Sequence, residues 1–231
     1  MPPERPPEGV LPRLRWVLKT DHPWVRIVRE LMSSVVLVLV IGLLLFAVSG
    51  VWPPLVAVES GSMEPHLQQG DLVFVMDTGR LTAAAAVPGT GIVSYQQGEA
   101  SEYRTFEDFG DVIVFDPPST GGPPIIHRAR FWVDEGENWY DRADSRYINA
   151  KECGDSRTEG LRNCPAPHAG FITKGDANSA YDQVSGVSRP VKPKWIKGTA
   201  EVRVPYLGFV RLQYSKFAAS QLSPITVPRA V

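Results

Sequence analysis

Two serine hydroxyls two residues apart, in Ser60-Gly61-Ser62-Met63-Glu64-Pro65, are the first residues of this chain whose type and spacing could do chemistry. A serine hydroxyl becomes a competent nucleophile only when a neighbouring base takes its proton as it attacks. Lysine is absent between Lys19 and Lys151, so none lies in the segments that follow the hydroxyl turn. His127, in the apolar run Ile125-Ile126-His127-Arg128, is the candidate base. Imidazole titrates near neutral pH, as a group that both takes and returns a proton must. Orienting it requires a carboxylate, and Lys174-Gly175-Asp176-Ala177-Asn178-Ser179-Ala180-Tyr181-Asp182 supplies two. Serine, histidine and aspartate in this order make a workable acyl-transfer triad. The residues by themselves leave open which serine attacks and which aspartate orients. Each also has a plain structural reading: turn or helix cap for the serines, sheet histidine for His127, turn-formers for Asp176 and Asp182. His66 is a rival base, but Glu64-Pro65-His66-Leu67 reads as a turn without a rigid partner.

The elements that must position these groups begin with an anchor. From Leu31 to Val58 no residue is charged, and Val35 to Val48 shows no polar stripe. At about 1.5 Å per residue, about 20 such residues cross a hydrocarbon core of roughly 30 Å. Trp52, Pro53 and Pro54 then supply an interfacial ring and helix stops. The pattern predicts a transmembrane helix over 31–53 rather than a cleaved signal, whose apolar region is about 7 to 15 residues. Arg13, Arg15, Lys19, Arg26 and Arg29 precede it, and Arg80 is the first basic residue after it. By the positive-inside rule, 1–30 is a basic cytoplasmic segment and 54–231 lies outside. Met1 to Val10 is Pro/Glu-rich and reads as disordered; Pro12 to Arg29 reads as an interfacial or solvated lead-in. Outside is also where Cys153 and Cys164 can stay oxidised, so a disulfide between them is expected, two free thiols being the other reading. Two cysteines without convergent histidines do not make a zinc site.

A formal net charge of −1 argues against nucleic acid as a partner, which would call for a basic patch. With 21 prolines and 20 glycines, short strands and turns are favoured over long helices. Strands are predicted over 71–76, 111–115, 125–133, 171–173 and 199–204, with His127, Ala129, Phe131 and Val133 on one face. No strand is followed by a long helix, which predicts a mainly β, antiparallel, barrel-like domain. Two stretches, 81–109 and 134–169, lack the period of a core element and read as surface insertions.

Taken together, Ser60 to Pro65, Gly70-Asp71, Gly110-Asp-Val-Ile-Val-Phe115, His127-Arg128, Lys174-Gly-Asp176 and Val204-Pro-Tyr-Leu-Gly208 resemble the archaeal and endoplasmic-reticulum branch of type I signal peptidases. The resemblance runs through the anchor and from about Glu59 to Gly208, broken by the two insertions. It implies Ser62 as nucleophile, His127 as base where the bacterial branch has lysine, and Ser60, with the backbone of Ser62, in the oxyanion hole. It implies Asp182 as the orienting acid with Asp176 organising the turn, the reverse remaining open. Ala177 departs from the Asn common after the Gly-Asp pair. Some archaeal members end in a second membrane helix, whereas no apolar run after Gly208 is long enough to span. The implied activity is a membrane-anchored serine endopeptidase of the cell membrane, its catalytic domain extracytoplasmic, that removes signal peptides from exported preproteins without cofactor or metal. Implied partners are signal peptides, the lipid bilayer and the protein translocation channel. Two rivals are a peptidase of related fold with another processing task and a non-catalytic, membrane-tethered β domain that binds signal sequences or scaffolds translocation.

Overall fold

The computed structural model describes Gly9 and residues 22–118, 122–154 and 160–213. The expectations for Met1 to Val10, apart from Gly9, and for 12–21 and the tail beyond 213 lie outside these residues. Two compact units divide the chain, Met1–Val48 and Ser49–Val231.

The described residues of the first unit form one helix, α1 (Pro23–Ser49), apart from Gly9 and His22. It begins eight residues before the span expected at 31 and stops at Ser49, before the expected end at 53. Pro23 opens it, where a missing N–H costs no hydrogen bond, and Gly50 at φ +78° ends it. Arg26 and Glu30, one turn apart, stand 3.7 Å from each other on its exposed surface. By length and composition α1 can cross a membrane.

The second unit is built on six antiparallel strands: β1 (Leu55–Ala57), β2 (Leu72–Met76), β5 (Val112–Phe115), β6 (Ile125–Val133), β9 (Gly170–Lys174) and β10 (Ile196–Val204), in the order β1-β2-β10-β5-β6-β9. The fold is therefore mainly β with one long apolar helix. Among the described residues the pairing runs open from β1 to β9, so it does not carry the barrel-like closure expected from sequence. All five predicted strands are present, within a few residues at their ends. The short edge strand β1, hidden in the tail of the apolar run, is additional.

Every residue of β5 is buried. Its side chains alternate between faces: Val112 and Val114 join a core with Val58, Met63, Leu67, Val73, Val75 and Ile126, whereas Ile113 and Phe115 join Ala129, Phe171 and Val191 on the other side. That second face is covered by Val87 and Ile92. The stretch 81–109 is thus not only surface loop, because a sheet apolar on both faces needs something to cover each. It also contains α2 (Tyr95–Ser101), opened by a capping box of Ser94 and Gln97, and the pair β3 (Arg104–Thr105) and β4 (Asp108–Phe109). Gly110, at φ +72°, lets this stretch lie against the sheet: a Cβ there would stand 2.5 Å from the Tyr95 nitrogen.

The stretch 134–169 likewise buries side chains. Trp139, Leu161, Cys164 and Ala166 form a third core with Phe131, Ile172 and Tyr181. It carries the two-residue strands β7 (Glu152–Cys153) and β8 (Gly160–Leu161), and Cys153 and Cys164 are joined by a disulfide. A bulge in β6 between Ala129 and Phe131 makes this packing possible. One extra residue turns the later side chains over. Phe131 and Val133 therefore face the third core, while Trp132 takes the Ala129 side. The single face expected for His127, Ala129, Phe131 and Val133 is broken at that point.

Candidate active site

Ser62 stands on the turn after β1. Met63 and Leu67, 1% and 0% exposed, pin that turn into the core, and Glu64 N–H and Leu67 N–H close it on Gly61 O and Met63 O at 3.1 and 3.0 Å. His127 lies near the start of β6, and Asp182 opens the one-turn helix α3 (Asp182–Ser185) directly after the buried Tyr181.

These three side chains meet. His127 Nε2 is 3.0 Å from Ser62 Oγ, and His127 Nδ1 is 2.7 Å from Asp182 Oδ2. Asp182 is fully buried, His127 nearly so, and Ser62 partly open. Ser60 Oγ is exposed, 3.2 Å from Ser62 Oγ. An ionised carboxylate only accepts, so Nδ1 carries the ring hydrogen and Nε2 is free to accept the Ser62 hydroxyl proton.

The pleat of the sheet separates the two aspartates. Side chains two apart on a strand share a face, so His127 shares one with Ala129, which pairs with Thr173 across the ladder. Thr173 Oγ1 consequently also reaches Asp182 Oδ2, donating at 2.6 Å. Asp182 Oδ1 is buried without a protein partner among the described residues. Arg128 and Lys174, paired with each other, point to the opposite face. There Arg128 Nε and Nη2 donate to Asp176 at 2.9 and 2.7 Å, and His66 Nδ1 lies 2.8 Å from Asp176 Oδ2. Arg128 is 0% exposed and sends Nη1 to Gly110 O at 2.9 Å, so a buried cation is paired and bonded as it must be. Burial alone would raise the Asp176 pKa, but the Arg128 guanidinium and His66 outweigh it and hold the carboxyl below its ordinary range.

The turn after β9 touches the serine directly. Ala177 N–H donates to Ser62 O at 2.9 Å, and Asn178 N–H closes the turn on Gly175 O at 2.9 Å. Gly175 is required by contact: a Cβ would stand 2.5 Å from Ser62 O and 2.9 Å from His127 Nε2. Beside the serine and histidine opens a largely apolar groove of about 950 Å³, with Val56, Val58, Val75, Val114 and Ile126 in its walls. His66, Asp108 and Asp176 bring ligand-type atoms within 4.8 Å of one another, but Arg128 already engages both Asp176 oxygens.

Sequence reasoning named Ser60, Ser62, His127, Asp176 and Asp182. It assigned no role to Thr173, Arg128 or Lys174, and it treated His66 as lacking a rigid partner, whereas Asp176 is that partner. The capping signature Ser94-x-x-Gln97 was a readable sign of α2. Nothing local announced Thr173, whose role depends on strand register.

The sequence model of the family described as signal peptidase, peptidase S26, matches residues 28–130, which include Ser62 and His127. The chain is also similar to the signal peptidase complex catalytic subunit SEC11 of Saccharomyces cerevisiae strains YJM789, RM11-1a and JAY291. Each is 25% identical over 173 residues, spanning 71% of this chain and 71% of the relative. With Ser62 and His127 inside the matched region, and the likeness to the catalytic subunit covering most of the chain, the similarities support a type I signal peptidase of the endoplasmic-reticulum and archaeal type.

Proposed function

We propose that this protein is a membrane-anchored serine endopeptidase that removes signal peptides from exported preproteins at the outer face of the membrane. Ser62 is the nucleophile, His127 the general base and acid, and Asp182 the carboxylate that orients it. The observation that carries this reading is the continuous path Ser62 Oγ–His127 Nε2, His127 Nδ1–Asp182 Oδ2, at 3.0 and 2.7 Å.

As Ser62 Oγ attacks the scissile carbonyl, His127 Nε2 takes its proton and Asp182 stabilises the imidazolium. The Ser60 hydroxyl and the Ser62 backbone N–H donate to the oxyanion. The tetrahedral intermediate collapses to an acyl-enzyme as His127 protonates the leaving amine, and water then repeats the sequence to release the signal peptide. Asp176 serves this centre indirectly, by holding the 175–178 turn to Arg128. The groove suits an extended, apolar segment. Among the described residues β1 is paired on one side only, with β2, so its outer edge can accept a substrate strand through main-chain hydrogen bonds. Small residues at −3 and −1 are expected from the family resemblance.

In this reading α1 is the anchor, the basic residues before it stay in the cytoplasm, and the chain from 54 on is extracytoplasmic. Tethering serves the reaction, since the apolar part of a signal peptide already lies in the bilayer and a tethered enzyme meets it at high effective concentration. The bilayer and the translocation channel are the surroundings this implies, with the cell membrane as the location. No step draws on a cofactor.

The test is cleavage of a preprotein by membranes containing the full chain, beside Ser62→Ala and His127→Ala. Both variants should lose activity by at least about 10³-fold. Wild-type rates in both would overturn the assignment.

A further inference from the structure

Lys174 ends β9 on the face away from His127, 2% exposed. Its Nζ donates to Gly175 O at 2.7 Å, Asp176 O at 3.0 Å and Asn178 O at 2.9 Å. Three acceptors require three N–H donors, which only the ammonium form supplies. The same Nζ stands 4.4 Å from the centre of the Tyr147 ring, a residue of the 134–169 stretch. Tyr147 O in turn accepts Tyr181 N–H at 3.3 Å, next to Asp182.

The three carbonyls belong to the turn that seats the serine and histidine. Ala177 N–H holds Ser62 O, and Gly175 packs against Ser62 O and His127 Nε2. Left unpaired in this buried to half-buried place, these carbonyls would repel one another and turn toward other donors. We propose that Lys174 is a positioning residue for the peptidase reaction, its ammonium fixing the 175–178 turn so that Ser62 and His127 stay in register. This rests on the reading of Ser62 and His127 as nucleophile and base. Lys174 itself is no base, since as an ammonium it has no lone pair to offer and all three of its N–H groups are spent on the turn.

The charge also acts on the centre. The groups that interact with Lys174 are Arg130 of β6, Asp108 of β4, and Asp176 and Asp182 beyond the turn, with Arg128 opposite it in the ladder. Burial and then Arg130 lower its pKa from the ordinary lysine value, against the pull of the three carboxylates. The Lys174 charge interacts with Asp182, the carboxylate that orients His127. Removing that charge should therefore move the acidic limb of the pH–rate profile upward.

The experiment follows preprotein cleavage by the full chain in detergent micelles from pH 5 to 9. It compares wild type, Ser62→Ala, Lys174→Met, Lys174→Arg and Tyr147→Leu. Lys174→Met should lose about 10²-fold in kcat, with KM within about threefold, and its acidic limb should rise by about half a pH unit. Lys174→Arg should restore the limb to the wild-type position. Tyr147→Leu should lose several-fold in kcat at unchanged KM, and it carries the test if Lys174→Met fails to fold. If wild type cleaves and Ser62→Ala does not, yet Lys174→Met (or Tyr147→Leu in its place) keeps wild-type kcat and limb, the positioning role is wrong and the triad stands. If wild type does not cleave, or Ser62→Ala cleaves as well as wild type, the proposal falls with the reading beneath it.

Discussion

Replacing each aspartate by asparagine should separate a kinetic role from a structural one. In Asp182→Asn the amide oxygen can keep the doubly used position, accepting from His127 Nδ1 and Thr173 Oγ1. The amide nitrogen then falls where Oδ1 lies buried without a protein partner, at a cost of about 1–3 kcal/mol. If the amide flips instead, its N–H₂ faces His127 Nδ1, the proton moves to Nε2, and the ring can no longer accept from Ser62. Either arrangement also removes the charge that stabilises the imidazolium, and kcat should fall by about 10³–10⁴-fold. Asp176→Asn leaves Arg128, 0% exposed, with only the more distant Asp108 carboxylate, 3.7 Å from its Nε, as counter-charge among the described residues, which costs about 3 kcal/mol because one amide oxygen still accepts. In a domain of this size that lowers Tm by about 6–12 °C, while kcat of the folded fraction should fall by no more than about tenfold. Since the Asp176 pKa is depressed in the native state, its contribution to stability is present above the ordinary carboxylate range, near pH 4. It is lost as pH falls through the depressed native value. Asp176→Asn should flatten that acid loss. Thermal unfolding beside single-turnover cleavage of a preprotein reads both effects. The opposite pattern, with Asp182→Asn nearly fully active and Asp176→Asn dead at unchanged Tm, would refute the division of labour.

Three further outcomes are expected. Gly175→Ala places a methyl 2.5 Å from Ser62 O, so kcat should drop about 10²-fold with secondary structure intact by circular dichroism; wild-type kcat would mean the turn can yield. Ser60→Ala should lower kcat by about 10²-fold with KM little changed, as for loss of one oxyanion donor; a pure KM effect would make Ser60 a substrate contact instead. Burial raises the Asp111 pKa to about 6, against the hydrogen bonds from Val93 and Tyr103. A raised native pKa means stability is greatest below about pH 4 and declines as pH rises through 6, by about 3 kcal/mol. In Asp111→Asn, which can still accept from Val93 and donate to Tyr103, this component of the decline between pH 4 and 7 should disappear from denaturant melts; an unchanged slope would assign it to another group.

What was readable in the chain, and what was not, follows the range of the interactions. Five strands were visible because Leu72–Met76, Val112–Phe115 and their fellows are short β-rich runs between turn residues, a local property. The stretches 81–109 and 134–169 read as surface because their apolar residues follow no regular period. Val87, Ile92, Trp139 and Leu161 are buried singly, against faces that other strands create. His66 looked unsupported because its partner, Asp176, lies 110 residues away.

By itself the sequence determined the apolar helix, the antiparallel β character, and a short roster of reactive groups: two serines, one strand histidine and two aspartates six residues apart. Those are properties of residue type and local spacing. Tertiary structure alone decided which aspartate faces the histidine. Strand alternation sends His127 and Thr173 to one side and Arg128 and Lys174 to the other, and the β6–β9 register then gives Asp182 to the first pair and Asp176 to the second. The carboxylates lie six positions apart in the chain, but only the pleat of a paired sheet gives them different partners.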